Sequence, residues 1–255
     1  MVHRKRFGQH FLRDSQVIHQ IIAAIAPQVE QRIVEIGPGQ GALTQPLLQY
    51  VAQLEVIELD RDLVQKLKAF EPRLKIYQAD VLKFDFTKII TELQPLRIVG
   101  NLPYNISTPL LFHLLSITRH IEDMILMLQK EVVDRMVASP ATAAYGRLSV
   151  MLQYHYQIDK LFDVPPEAFS PPPQVNSSVV QLIPQVTPPV HVDNLDHFAY
   201  VVVQAFSKRR KTLQNALKGC LDAERIVAAG INPHCRAETL TLAEFAQLAN
   251  VLTPA

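Results

Sequence analysis

Apolar positions along the chain follow two periods. Ile18, Ile21, Ile22 and Ile25 recur at helical spacing and stop at Pro27, which predicts an amphipathic helix. Short apolar runs at 33–36, 54–58, 75–78, 96–99 and 124–128 read as strands. Helical spacing returns between them, at Leu43, Leu47 and Leu48, from Arg61 to Phe70, and from Pro109 to Leu115. This alternation predicts an α/β fold: a Rossmann-like, mostly parallel sheet with helices on both faces.

The pattern changes after Leu161. Residues 164–173 hold five of the chain's 18 prolines, and proline lacks the N–H that a helix or a central strand needs. A strand is expected from Val175 to Ile183, and a second proline-rich stretch at 184–189 marks a boundary. The segments 197–206, 211–221 and 242–252 have helical period. The expectation is one α/β domain over 1–184 and a small all-helical domain over 185–255.

Composition narrows the class only a little. A hydrophobic content of 48% suits a globular core, and no apolar run approaches the length of about 18 residues that a membrane span requires. His3-Arg4-Lys5-Arg6 followed by Phe7-Gly8-Gln9-His10 has the wrong shape for a secretory signal. Cys220 and Cys235 have neither metal-ligand spacing nor the company of a disulfide framework, so a cytoplasmic protein without a metal is expected. The net charge is +1, but Arg4, Lys5, Arg6 and Arg13 form one basic cluster and Lys208 to Lys211 another. Such clusters are ordinary solvated surface or contacts for a polyanion.

Three of the eight glycines fall in Gly37-Pro38-Gly39-Gln40-Gly41, at the exit of the first strand of the alternation. Glycine there admits positive φ and lets a ligand approach bare backbone. Glu58 ends the next strand, 21 residues after Gly37, where nucleotide-binding α/β units place a carboxylate on the ribose. Asp80 follows the third strand and is suited to an adenine amine, or equally to a helix cap. The loop with Ala42 also fits the dinucleotide pattern, so it points to an adenosine-containing cofactor without naming it.

Asn101-Leu102-Pro103-Tyr104 follows the fourth strand, at the sheet edge where ligands bind. Asn and Pro also favour plain turns. The order of residues nevertheless suits one reaction. The exocyclic amine of adenine is a weak nucleophile because its lone pair is delocalised into the ring. The Asn101 amide oxygen and a carbonyl near Leu102 could accept its two N–H groups and reorient it. Pro103 would hold that carbonyl rigid, and Tyr104 offers a stacking face for a flipped-out base. No strong base is needed, because the amine becomes acidic only after it has been methylated.

Seven segments carry a resemblance. Phe7–Leu12, Glu35–Gly39, Ile57–Asp60, Asn101–Ser107, Leu128–Val132, Tyr145–Ser149 and the proline-rich 169–177 stretch together resemble the rRNA adenine N6-dimethyltransferase family, and within it the bacterial small-subunit branch. The resemblance implies S-adenosyl-L-methionine as methyl donor. It implies as substrate two adjacent adenosines in the 3′-terminal hairpin loop of 16S rRNA, within the small ribosomal subunit or its precursor, and a part in subunit biogenesis. It places His10 (through its backbone), Leu12, Gly37, Gly39, Glu58, Asp80 and Asn101 on the cofactor. It places Asn101, Leu102, Pro103 and Tyr104 on the target base, with Phe169 as a second aromatic wall. The other reading of Phe169 is a core aromatic beneath a proline loop. With an RNA substrate the basic clusters become phosphate contacts, joined by Arg147 and Arg225. Three rivals stand: an enzyme for large-subunit rRNA or DNA adenine, a non-catalytic assembly factor, and a dinucleotide oxidoreductase. A monomer is the default.

Overall fold

The structure, a computed structural model, describes residues 10–208 and 210–252. Arg4 to Arg6, the Phe7–Gln9 part of the N-terminal motif, and Arg209 lie outside the described residues. The strands in chain order are β1 (Phe11–Leu12), β2 (Arg32–Ile36), β3 (Leu54–Glu58), β4 (Leu74–Gln78), β5 (Leu96–Asn101), β6 (Ile121–Gln129), β7 (Tyr156–Val164), β8 (Phe169–Ser170) and β9 (Ser177–Pro184). Seven of them form one sheet in the order β4-β3-β2-β5-β6-β9-β7. The pairs β4/β3, β3/β2, β2/β5 and β5/β6 are parallel, and β9 returns antiparallel to β6 with Met127 opposite Val179. The central strands read as continuous apolar runs because both of their faces are covered; every residue of β3 is buried.

The first unit comprises the described residues up to Val133 together with Asp159–Pro184. Its helix α1 (Ser15–Ile25) starts where the Asp14 carboxylate accepts the Gln16 and Val17 N–H groups, and it buries Val17, Ile21, Ile22 and Ile25. The chain leaves α1 through Ala26 at φ 44°, just before Pro27. Short helices α2 (Thr44–Leu47), α3 (Arg61–Leu67) and α4 (Ser107–Leu114) connect the parallel strands. A fifth helix, α5 (Lys130–Met136), follows β6.

The second unit comprises Asp134–Ile158 and the described part of Gln185–Ala255. Its C-terminal part begins at Gln185, and residues 134–158 group with that part. The reason is local bonding. Gln153 donates to the Met136 and Ala138 carbonyls at 2.8 and 2.9 Å, and the Ala141 N–H reaches the Glu238 carbonyl at 2.7 Å. In addition, Tyr154 of α6 (Arg147–His155) packs its ring 4.9 Å from that of Phe198 in α7 (Leu195–Phe206). The helix expected over 211–221 is only α8 (Leu213–Ala216), because the chain turns at Leu217 and reaches φ 100° at Gly219. It is followed by α9 (Ala223–Ala228) and by α10 (Leu242–Asn250), which Thr241 and Glu244 cap reciprocally. No helix among the described residues is long and apolar enough to cross a membrane.

Candidate active site

The strand order reverses between β2 and β5, and the crevice outside their carboxyl ends is where open parallel sheets bind ligands. Two backbones meet there. A Cβ added to Gly37 would lie 3.8 Å from the Asn101 carbonyl oxygen, and one added to Gly100 would lie 2.6 Å from that of Ile36. Gly100 is thus obligatory for the approach of β5 to β2, a requirement that no sequence motif signals. Gly37 and Gly39 turn the chain at φ 67° and 59°, and the Phe11 ring covers Gly39.

Glu58 ends β3 with both oxygens engaged: one accepts the Gly39 N–H at 3.1 Å and the other the Asp60 N–H at 2.8 Å. Burial raises its pKa, while these N–H groups pull the other way. A carboxylate can accept about four hydrogen bonds, so Glu58 keeps acceptor capacity toward the cavity it lines. Asp80 accepts the Leu82 N–H at 3.0 Å, which fixes the turn after β4.

The turn after β5 is pinned from three sides. The Leu102 N–H is donated to the Met127 carbonyl at 3.1 Å, while the Pro103 carbonyl accepts from the Ile106 N–H and the Ser107 hydroxyl, both at 3.1 Å. The Asn101 side-chain N–H is donated to the His10 carbonyl at 3.2 Å, which leaves its amide oxygen as an acceptor. The His10 ring donates from Nδ1 to the Pro171 carbonyl at 2.8 Å and stacks on Tyr104 at 5.7 Å between centroids. The Tyr104 and Ser177 hydroxyls share a hydrogen bond of 2.8 Å, and burial raises the Tyr104 pKa.

One cavity of about 220 Å³ gathers these groups. His10, Leu12, Gly37, Gly39, Glu58, Asp80 and the four residues 101–104 all line it. Phe169 does not. It is 4% exposed and packs in the core with Leu12, Val164 and Ala168, because β8 pairs with β1 and sets Phe169 opposite Leu12. The lining also includes Leu59 and Ile106, apolar positions with no chemical signature in the sequence. It further includes Glu35, which is 2% exposed and accepts from the Thr44 hydroxyl at 2.6 Å. Burial pushes the Glu35 carboxyl up to about 8 against the Thr44 hydrogen bond, with nearby Glu58 adding to the rise.

A model of ribosomal RNA adenine dimethylases matches residues 2–254. The chain belongs to the ribosomal RNA adenine dimethylase family. Among similar proteins, ribosomal RNA small subunit methyltransferase A of Laribacter hongkongensis is 55% identical over 249 residues, 97% of this chain and 95% of its own. The protein of that name from Thiobacillus denitrificans is 55% identical over 244 residues, 95% of this chain and 94% of its own. A dimethyladenosine transferase from Plasmodium falciparum superposes with a TM-score of 0.75 at 25% identity, covering 94% of this chain and 96% of that one. The family match spans both units, so the helical second unit is as much a part of the dimethylase as the sheet that carries the cavity. It makes this chain a methyltransferase of ribosomal RNA adenine.

Proposed function

We propose that this dimethylase transfers methyl groups from S-adenosyl-L-methionine to the N6 amines of two adjacent adenosines in the 3′-terminal hairpin loop of small-subunit rRNA. The observation that carries the reading is the cavity itself, in which a ribose-type carboxylate, Glu58, and the Asn101–Tyr104 turn face one space. The residues fit the cofactor. Gly37 offers bare backbone to its amino-acid end, Glu58 accepts the ribose hydroxyls, and Asp80 accepts the adenine amine. When bound, the cofactor supplies an activated methyl group, so the work left to the protein is orientation and desolvation.

Asn101 does the central part of that work. With its N–H tied to the His10 carbonyl, its oxygen is fixed as an acceptor for one amine hydrogen of the target base. The Leu102 carbonyl, between an engaged N–H and the rigid Pro103 ring, would accept the other. Drawing both hydrogens out of the base plane frees the nitrogen lone pair. Tyr104, held by Ser177, supplies the stacking face and favours the positive charge that develops on the amine. Lys208, Arg210, Lys211, Arg147 and Arg225 are exposed and suit phosphate contacts that position the RNA.

The substrate assignment is tested by offering unmodified small subunits, large-subunit rRNA and duplex adenine-containing DNA in parallel with labelled donor. Label is expected on small-subunit rRNA, and label confined to either of the others would overturn the assignment.

A further inference from the structure

The roles proposed above use His10 only through its backbone. Its ring has relationships of its own in the cavity wall. Nδ1 donates to the Pro171 carbonyl at 2.8 Å, and the ring stacks on Tyr104 with 5.7 Å between centroids and 28° between planes. A carbonyl only accepts, so Nδ1 carries a proton and the imidazole is held in one orientation. Tyr104 is tied at its tip by the hydrogen bond of 2.8 Å between its hydroxyl and that of Ser177. His10 therefore sets the face of the tyrosine ring while Ser177 sets its end. The carbonyl of the same residue accepts the Asn101 side-chain N–H at 3.2 Å. One residue of the N-terminal segment thus touches both Asn101 and Tyr104, the two side chains proposed to meet the target base.

An adenine seated between two flat rings needs them about 7–8 Å apart, twice the optimal separation of carbon atoms. At 5.7 Å between centroids, His10 and Tyr104 leave no such slot, so one face of the tyrosine is covered. We infer that His10 is a positioning residue for the target base: its ring backs Tyr104 and commits the opposite face of the tyrosine to the flipped adenine. The inference rests on the adenine reading proposed above. A base stacked on a fixed ring presents its amine to the Asn101 oxygen in one geometry. A ring free to tilt about its hydroxyl tether would spread the base over several geometries, few of them productive. A stacked aromatic pair is worth about 2- to 10-fold in an equilibrium, which sets the size of the expected effect.

Single-turnover methyl transfer to unmodified small subunits by the full chain tests this with His10→Ala, His10→Leu and His10→Phe. The affinities for S-adenosylhomocysteine and for the subunits are measured on the same preparations. Every variant keeps the carbonyl of residue 10, and with it the bond from Asn101, so the comparison isolates the ring. His10→Ala should lower the rate at saturating subunits by about 2- to 10-fold and leave both affinities unchanged. His10→Leu supplies apolar bulk without a flat face and should behave like His10→Ala. His10→Phe restores the flat face and should recover most of the rate. A merely structural role would move the affinities together with the rate, and Leu would then repair the site as well as Phe. A wild-type rate for His10→Ala, equal rates for the Leu and Phe variants, or a loss of S-adenosylhomocysteine affinity alongside the rate would overturn the inference. Absence of transfer by the wild type would instead remove the substrate reading, and this inference with it.

Discussion

The Asn101 side chain donates its N–H to the His10 carbonyl oxygen at 3.2 Å, linking the residue proposed to orient the amine to a segment 91 positions earlier in the chain. A side-chain amide is chemically two-ended, and this bond decides which end faces the cavity. Replacing Asn101 with Asp removes the donor and sets a carboxylate against a carbonyl. Methyl transfer is expected to fall by about 100-fold or more, in the range found when one oriented polar group is removed from an active site. Single-turnover transfer to small subunits measures it.

Gly100 is the second prediction. Its added Cβ would stand 2.6 Å from the Ile36 carbonyl oxygen, which is backbone and cannot swing away. Gly100→Ala should cost roughly 1–3 kcal/mol of stability by overpacking, and should weaken cofactor binding because β2 and β5 separate at the crevice. Urea unfolding with and without S-adenosylhomocysteine reads both effects. A variant with wild-type stability and affinity would show that the strands tolerate the extra carbon.

Glu35 predicts a pH dependence for the free protein. Its folded pKa is raised from 4.5 to about 8 by burial, so the folded state holds the proton more tightly than the unfolded chain. Its contribution to stability is complete below about pH 4.5 and is lost as pH rises through about 8. Glu35→Gln should therefore lose less stability than the wild type between pH 5 and 8, by on the order of a few kcal/mol. Unfolding midpoints at the two pH values give the comparison.

Phe169 is expected to act through packing. At 4% exposure in the core beside Leu12, truncation to Ala should cost about 3–5 kcal/mol. Phe169→Leu should recover most of that stability together with activity. Full stability of Phe169→Leu with a collapse of transfer would restore the aromatic-wall role.

For the RNA surface, neutralising Lys208, Arg210 and Lys211 together should weaken binding to rRNA and flatten its dependence on salt. Each phosphate left without its cation lowers the slope by about 0.7 to 0.9. An unchanged slope returns these residues to ordinary solvated surface.

What the sequence made legible was what a single stretch of chain encodes. The buried parallel strands β2, β3, β5 and β6 are apolar runs, and the glycine turn, Glu58 and the Asn101–Tyr104 turn each sit at a strand end. What escaped needed a partner distant in the chain. The strand β7 alternates exposed Gln157, Asp159, Leu161 and Asp163 with more buried neighbours, and it joins the sheet through β9, which follows it in sequence. The two-residue pairing of β1 with β8 brings together Leu12 and Phe169 across 157 positions; no local pattern announces it, and it turns Phe169 into the core. Gly100 carries no motif of its own, because its role comes from the close approach of Ile36.

The central claim is that the Asn101–Tyr104 turn orients the target amine, while Gly37, Glu58 and Asp80 carry most of the hold on the cofactor. The direct measurement is transfer of labelled methyl from S-adenosylmethionine to unmodified small subunits by wild type and by Asn101→Ala, with S-adenosylhomocysteine affinity measured on the same preparations. The account predicts dimethyladenosine from the wild type, and from the variant a near-complete loss of transfer with cofactor binding at least partly retained. Wild-type-like transfer by Asn101→Ala would contradict it.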